Sequence, residues 1–235
     1  MIDFSEISKI KTKKDIKKYD VDKPLFISNY LFHYLIITDN LKAMKLTEHP
    51  IYKENDEGLQ GYHLAAKVYS ETKSLKMLKL LLKEYPEYSG NTNFFNETFL
   101  DYFPVNDDLI ELIKEFKNVN WHRLLTYKNN DDINKTTYLD IIFLNGSKKL
   151  INFIMSSFTF EWQEFNSIPF FNLVFNKNLK TNDIIKILTK IKDNLNILNN
   201  RGQTIIYPAI ESNNFKIVKF LIENNVEIDK YIPIF

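Results

Sequence analysis

Apolar residues recur along the chain with a helical period. Ile217, Val218, Leu221 and Ile222 fall on one face, the i, i+1, i+4, i+5 spacing of an amphipathic helix. The same short apolar motif returns upstream as Ile184-Ile185-Lys186-Ile187-Leu188, Leu150-Ile151-Asn152-Phe153-Ile154, Leu109-Ile110-Glu111-Leu112-Ile113, Met77-Leu78-Lys79-Leu80-Leu81 and Ala43-Met44-Lys45-Leu46. Ahead of each lies a second, shorter apolar stretch. These stretches are anchored near 30, 60, 98, 137, 168 and 204, with a stub from 232 that reads Ile232-Pro233-Ile234-Phe235. In three copies the two anchors are 13 residues apart, at 30 and 43, 137 and 150, and 204 and 217. Thr204 suits the N-cap of the first helix of its copy, and Asn213 the left-handed break before the second. The pattern predicts helix pairs repeated about every 34 residues, a period of the kind that helix-pair repeats use.

The copy from 202 to 229 carries the most detail. It opens Gly202-Gln203-Thr204-Ile205-Ile206-Tyr207-Pro208-Ala209, holds Ile217-Val218-Lys219-Phe220-Leu221 in its second helix, and ends Asn225-Val226-Glu227-Ile228-Asp229. A second well-kept copy reads Gln60-Gly61-Tyr62-His63-Leu64-Ala65-Ala66. Both resemble the ankyrin repeat, with Ile205 in place of the family's Pro, Tyr207 in place of its His and Asn225 in place of its Gly. The resemblance extends over residues 24–235 and is weakest over 94–118. It implies an all-α, ankyrin-type α-solenoid of about six helix-pair repeats with short, degenerate hairpin fingers, preceded by a basic capping segment at 1–23. The Asn-, Ile- and Lys-rich style resembles the divergent ankyrin arrays of giant DNA viruses of protists.

The resemblance also assigns slots. The position where the family places a small Ala holds Leu35, Ala65, Phe103, Ile142, Leu173 and Ala209, and four large residues of six predict irregular packing. The neighbouring Leu position holds Phe32, Tyr62, Leu100, Leu139, Phe170 and Ile206, which makes core of much of the aromatic content. His33 and His63 take the family's His slot, where the ring bonds backbone at the start of the first helix. Gly146 takes the helix-break slot, and Asn213 and Asn225 stand in for Gly where a left-handed residue is wanted. By the same resemblance, partner contacts come from finger tips and exposed first-helix positions: Asn200, Arg201, Gln203, Tyr207 and Glu211, with Lys67, Leu144 and Phe175 at corresponding positions. Trp121 and Trp162 fall in inter-copy segments. There each either anchors a partner from an exposed finger or fills a lengthened loop.

Composition narrows the chemistry. The 235 residues carry a net charge of +1, so no general attraction to nucleic acid or anionic membrane is expected. Zero Cys excludes disulfides, thiolate metal sites and cysteine catalysis, and five Gly leave little for phosphate-cradling loops. No window approaches the roughly 18 apolar residues of a membrane span, and residues 1–6 do not open a secretory signal. A soluble intracellular protein, monomeric and without cofactor, is the expectation. His33, His49, His63 and His122 show no metal-ligand spacing, and Asp107-Asp108 and Asp131-Asp132 read as helix-start acids rather than a catalytic dyad. No catalytic or metal-binding residues are assigned, and an enzyme is not expected. The reading is therefore a scaffold, adaptor or inhibitor that binds an unidentified protein, in the manner of a host-directed viral protein or effector. Two alternatives stand beside it: an interaction domain of a larger protein whose catalytic part lies beyond the chain, and weak nucleic-acid binding through the lysine-rich residues 9–18.

Overall fold

The computed structural model describes residues 4–25, 28–46, 48–127, 136–162, 165 and 168–228. Their regular structure is helical, with no extended strand among them. They divide into two compact units, one from residues 1–104 and 112–129 and the other from 105–111 and 130–235.

The first unit opens with α1 (Phe4–Ser8) and α2 (Lys13–Ile16), followed by α3 (Leu31–Ile37), α4 (Leu41–Met44), α5 (Gly61–Thr72) and α6 (Lys76–Glu84). A 3₁₀ helix, Phe99–Tyr102, comes next, then α7 (Asp108–Glu115), within which the unit boundary falls, and α8 (Trp121–Thr126). First elements pack on first elements, α3 on α5 and α5 on Phe99–Tyr102, while α4 packs on α6. Leu35, Ala65, Phe103, Phe32, Tyr62 and Leu100 are all buried in this stack. Ile7, Ile10 and Ile16 are buried as well, whereas the lysines at 9, 11, 13, 14, 17 and 18 are exposed. The Asn40 amide holds α1 in place by donating to the Ile7 and Ile10 carbonyls, both at 3.2 Å.

The second unit holds α9 (Tyr138–Asn145), α10 (Lys148–Ser157), a 3₁₀ helix Pro169–Phe175, α11 (Thr181–Lys190), α12 (Ile206–Glu211) and α13 (Phe215–Glu223). Again α9 packs on Pro169–Phe175, that helix on α12, and α11 on α13. Side chains fix the helix starts. Thr137 and Asp140 form a reciprocal capping box on α9, and Ser147 and Asn214 accept the Leu150 and Ile217 N–H groups on α10 and α13. Several hydrogen bonds link residues about one period apart. Asn176 donates to the Phe143 and Gly146 carbonyls, Asn178 to the Asn145 carbonyl, and Asn214 to the Thr181 hydroxyl.

Three local expectations are corrected. Thr204 is not the N-cap of α12: the helix starts at Ile206 behind Ile205, and the Thr204 hydroxyl donates to the Glu227 carbonyl at 2.9 Å. Gly146 is extended (φ −69°, ψ 155°), so it meets no left-handed requirement; a Cβ there would press within 2.5 Å of the Ile142 carbonyl oxygen. The first elements at 99–102 and 169–175 are 3₁₀ rather than α. Asn213 and Asn225, by contrast, have φ of 54° and 57°, the left-handed conformation expected of both.

Candidate partner-binding surface

One loop geometry precedes three of the first elements. In residues 55–59, 93–97 and 199–203, an Asn opens the loop and donates its backbone N–H to the carbonyl four residues on, at 3.0, 3.0 and 2.9 Å. Its own carbonyl accepts from the fourth residue of the loop, Gly58, Asn96 or Gly202, at 3.0, 2.9 and 2.9 Å. These fourth residues have φ of 76°, 56° and 71°. The Asn side chain closes each loop from inside. Asn55 Oδ1 accepts from the Glu57 and Leu59 N–H groups, Asn93 from Phe95 and Glu97, and Asn199 from Arg201 and Gln203, all within 2.7–3.0 Å. Asn55 and Asn93 are buried, so these bonds replace water that the oxygen cannot reach. In the first copy Leu25 makes the backbone bond alone, to Asn29 at 2.7 Å. The sequence reading missed the opening Asn, although Asn-x-x-Gly or Asn-x-x-Asn just ahead of a first-element anchor was a visible signal.

Two buried histidines tie first helices to neighbouring backbone, and one of them reaches an Asn-closed loop. The Tyr30 N–H donates to His33 Nδ1 at 2.9 Å, which leaves the proton on Nε2 for the Lys53 carbonyl at 3.2 Å. His63 Nε2 donates to the Glu97 carbonyl, in the loop of the following copy, at 2.7 Å. Burial pushes the His33 imidazole down to about 4 and lowers that of His63, so both are neutral near pH 7.

The residues assigned to partner contact fall in both units. In the second, Asn200 and Arg201 are exposed in the loop 199–203, Gln203 and Tyr207 are half-buried behind it, and Glu211 is exposed at the end of α12. Leu144 and Phe175 are 36 % and 38 % exposed at the ends of the two preceding first elements, which places them and Glu211 on successive packed helices. In the other unit Lys67, half-buried on α5, pairs with Glu57 in the loop 55–59, so loop and first-helix face adjoin there.

Trp121 and Trp162 are corrected: both are core residues, 3 % and 6 % exposed, and neither is available to a partner. Trp121 donates to the Phe116 carbonyl at 2.8 Å, and Trp162 packs among Phe143, Phe160 and Phe170. The large apolar area of an indole outweighs its place in an inter-copy segment. Among the aromatics that are exposed, Phe94 and Phe95 stand at the tip of the loop 93–97, 59 % and 52 % exposed with ring centroids 4.0 Å apart. Asp131-Asp132, read above as helix-start acids, and the stub 232–235 lie outside the described residues. Among the described residues no group of three or more acids and histidines is placed to hold a metal, and no helix is long and apolar enough to cross a membrane.

No protein-family model matches the chain. Over 46 residues it is 48 % identical to a fowlpox virus (strain NVSL) protein described as an ankyrin repeat protein. That stretch is 20 % of this chain and 8 % of the fowlpox protein.

Proposed function

We propose that the chain is a divergent ankyrin-type array, an α-solenoid of about six helix pairs, and that it works as a protein–protein interaction module. The observation that carries this reading is the recurrence of one Asn-closed loop ahead of the first elements at 60, 98 and 204. The local identity to the fowlpox ankyrin repeat protein and the hydrogen bonds that join residues one period apart point the same way. In this reading residues 1–23 cap the array, since end repeats need a polar outer face over an apolar inner one. The chain acts inside a cell as a monomer that binds a protein and catalyses nothing, and the viral relative favours a host-directed role. Exposed loop tips and first-element ends supply the contacts: Asn200, Arg201, Tyr207 and Glu211, with Leu144 and Phe175 beside them and the Phe94-Phe95 tip in the other unit.

The test is differential capture. Immobilised wild-type protein and the Arg201→Glu/Glu211→Lys variant are incubated with the same eukaryotic cell extract, and bound proteins are quantified by mass spectrometry. Both substituted side chains are exposed, so the variant is expected to melt within a few degrees of wild type. Proteins retained by wild type and depleted at least tenfold on the folded variant support the reading. Identical captures from the two would remove this face from the proposal.

A further inference from the structure

The net charge of +1 hides a split. Residues 9–18 hold six lysines and one acid, Asp15, a net of +5, so the rest of the chain sums to −4. All six lysines are exposed, and none forms an ion pair among the described residues. Elsewhere the chain does pair its lysines: Lys79 with Glu115 at 2.7 Å, Lys148 with Asp183 at 2.7 Å and Lys149 with Asp107 at 3.5 Å. Asp15 is committed to the start of α2. Its Oδ2 accepts from the Lys11 N–H, the Thr12 N–H and the Thr12 hydroxyl at 3.2, 2.9 and 2.7 Å.

The lysines also stand on a fixed frame. Ile10 and Ile16 are buried beneath them, and Asn40 holds the segment by the Ile7 and Ile10 carbonyls. Helical bonds run on past α2, from the Lys17 and Lys18 N–H groups to the Lys13 and Asp15 carbonyls at 3.1 and 3.3 Å. At about 100° per residue, Lys13, Lys14, Lys17 and Lys18 fall within one arc of about 140° that leaves out Ile16. Lys13 with Lys17 and Lys14 with Lys18 are like charges at i, i+4, whose repulsion an external anion relieves.

We propose that this face binds the phosphate backbone of double-stranded nucleic acid, without choice of sequence. Lysine neutralises phosphate as a point charge, and the segment holds no Arg to fork onto base edges. The aromatic that follows, Tyr19, is half-buried, which leaves little ring on which a single strand could stack its bases. Shape favours a duplex over an anionic bilayer. Glu6, Asp20 and Asp22 are exposed on either side of the run, so a broad anionic plane meets them, whereas a rod needs only the strip between. The site uses none of the loop or first-element residues assigned to partner contact above, so the two readings fail separately.

The experiment uses the intact protein with two fluorescein-labelled 20-base-pair DNA duplexes of unrelated sequence, followed by fluorescence anisotropy from 50 to 300 mM salt. Saturable and equal binding of the two is expected. The slope of log affinity against log salt should lie between about −4 and −5, as for about five neutralised phosphates. Lys13→Gln/Lys14→Gln/Lys17→Gln/Lys18→Gln changes exposed residues only, so it melts within a few degrees of wild type. It should weaken binding at least tenfold at 50 mM salt and flatten the slope to about −2, the share of Lys9 and Lys11. The control Lys177→Gln/Lys186→Gln/Lys192→Gln/Lys216→Gln, with the same charge change at exposed positions of the other unit, should bind within twofold of wild type. Vesicles of phosphatidylserine and phosphatidylcholine provide the competing surface. Absence of saturable duplex binding, equal losses in the two quadruple variants, or lysine-dependent binding to vesicles but not to duplex would each overturn the proposal.

Discussion

Helix α5 and the 3₁₀ helix Phe99–Tyr102 hold the same place in successive copies and pack on one another, yet one runs 12 residues and the other four. Both start from an extended residue, Gln60 or Thr98, behind the same Asn-closed loop. They diverge downstream of that start. Pro104 bars Phe103 from the α region and leaves it extended at φ −89° and ψ 125°. Nothing comparable stops α5 until Lys73 turns left-handed at φ 60°. The third residue past the start differs too: His63 reaches forward to the Glu97 carbonyl, whereas Asp101 folds back to cap Thr98. Even so, Phe103 stacks flat on Tyr69 of α5, with centroids 4.6 Å apart and an interplanar angle of 8°. A copy is thus defined by its loop and by the apolar residues it delivers, and helix length is free to vary.

The largest way to break this pairing is at the shared core. Phe99 is fully buried between Tyr62 and Trp121, and Phe99→Ala is expected to cost about 3–5 kcal/mol in urea unfolding. A loss below about 1 kcal/mol would place that ring outside the core. Next comes acid. The folded protein holds His33 and His63 neutral below the ordinary imidazole range, while the unfolded chain takes up their protons. Stability should therefore be intact above about pH 6.5 and fall towards pH 4, by up to about 1.4 kcal/mol per pH unit for each histidine. His63→Gln keeps an N–H donor for Glu97 but cannot titrate, so melting between pH 7.5 and 4.5 should show a shallower decline.

The loops themselves answer to smaller changes. Gly58 is left-handed, and a Cβ there would meet the ring of Phe94. Gly58→Ala is expected to cost about 1–2 kcal/mol, and Gly58→Asn, the type of residue that serves at 96, about half as much. Equal costs would show that crowding against Phe94, not backbone conformation, sets the penalty. Smallest of all, Asn213→Gly at the left-handed break before α13 should gain roughly 0.5 kcal/mol in the same unfolding assay.

Much of this frame was legible in the sequence. Each apolar motif read as a second helix falls on a helix among the described residues, and the slots holding Phe32, Leu100, Leu139 and Phe170 are buried as expected. The helix type of the first elements was less so. At 169–175 the buried pairs Phe170 and Leu173, and Phe171 and Val174, are three apart, which suits the eclipsed faces of a 3₁₀ helix. That spacing was readable but is easily taken for an α pattern, because i, i+3 serves both. On the candidate surface, the exposure of Arg201 and Glu211 followed from their slots, while the depth of Trp121 and Trp162 did not. Spacing places a residue along the chain; whether it is covered depends on partners such as Phe99 for Trp121 and Phe143 for Trp162, which are distant in sequence. The Asn-closed loop escaped notice because a single Asn is commonplace in so Asn-rich a chain, and its meaning comes only from the left-handed residue three positions on.

The claim that the loop defines the copy is tested most directly by amide hydrogen exchange in the intact protein. The N–H groups of Leu59, Glu97 and Gln203 each donate to the opening Asn of their own loop. All three should exchange well below their unprotected rates, and Asn55→Ala, Asn93→Ala and Asn199→Ala should each abolish that protection in one loop only. Exchange at unprotected rates in the wild type, or protection that survives loss of the Asn, would contradict it.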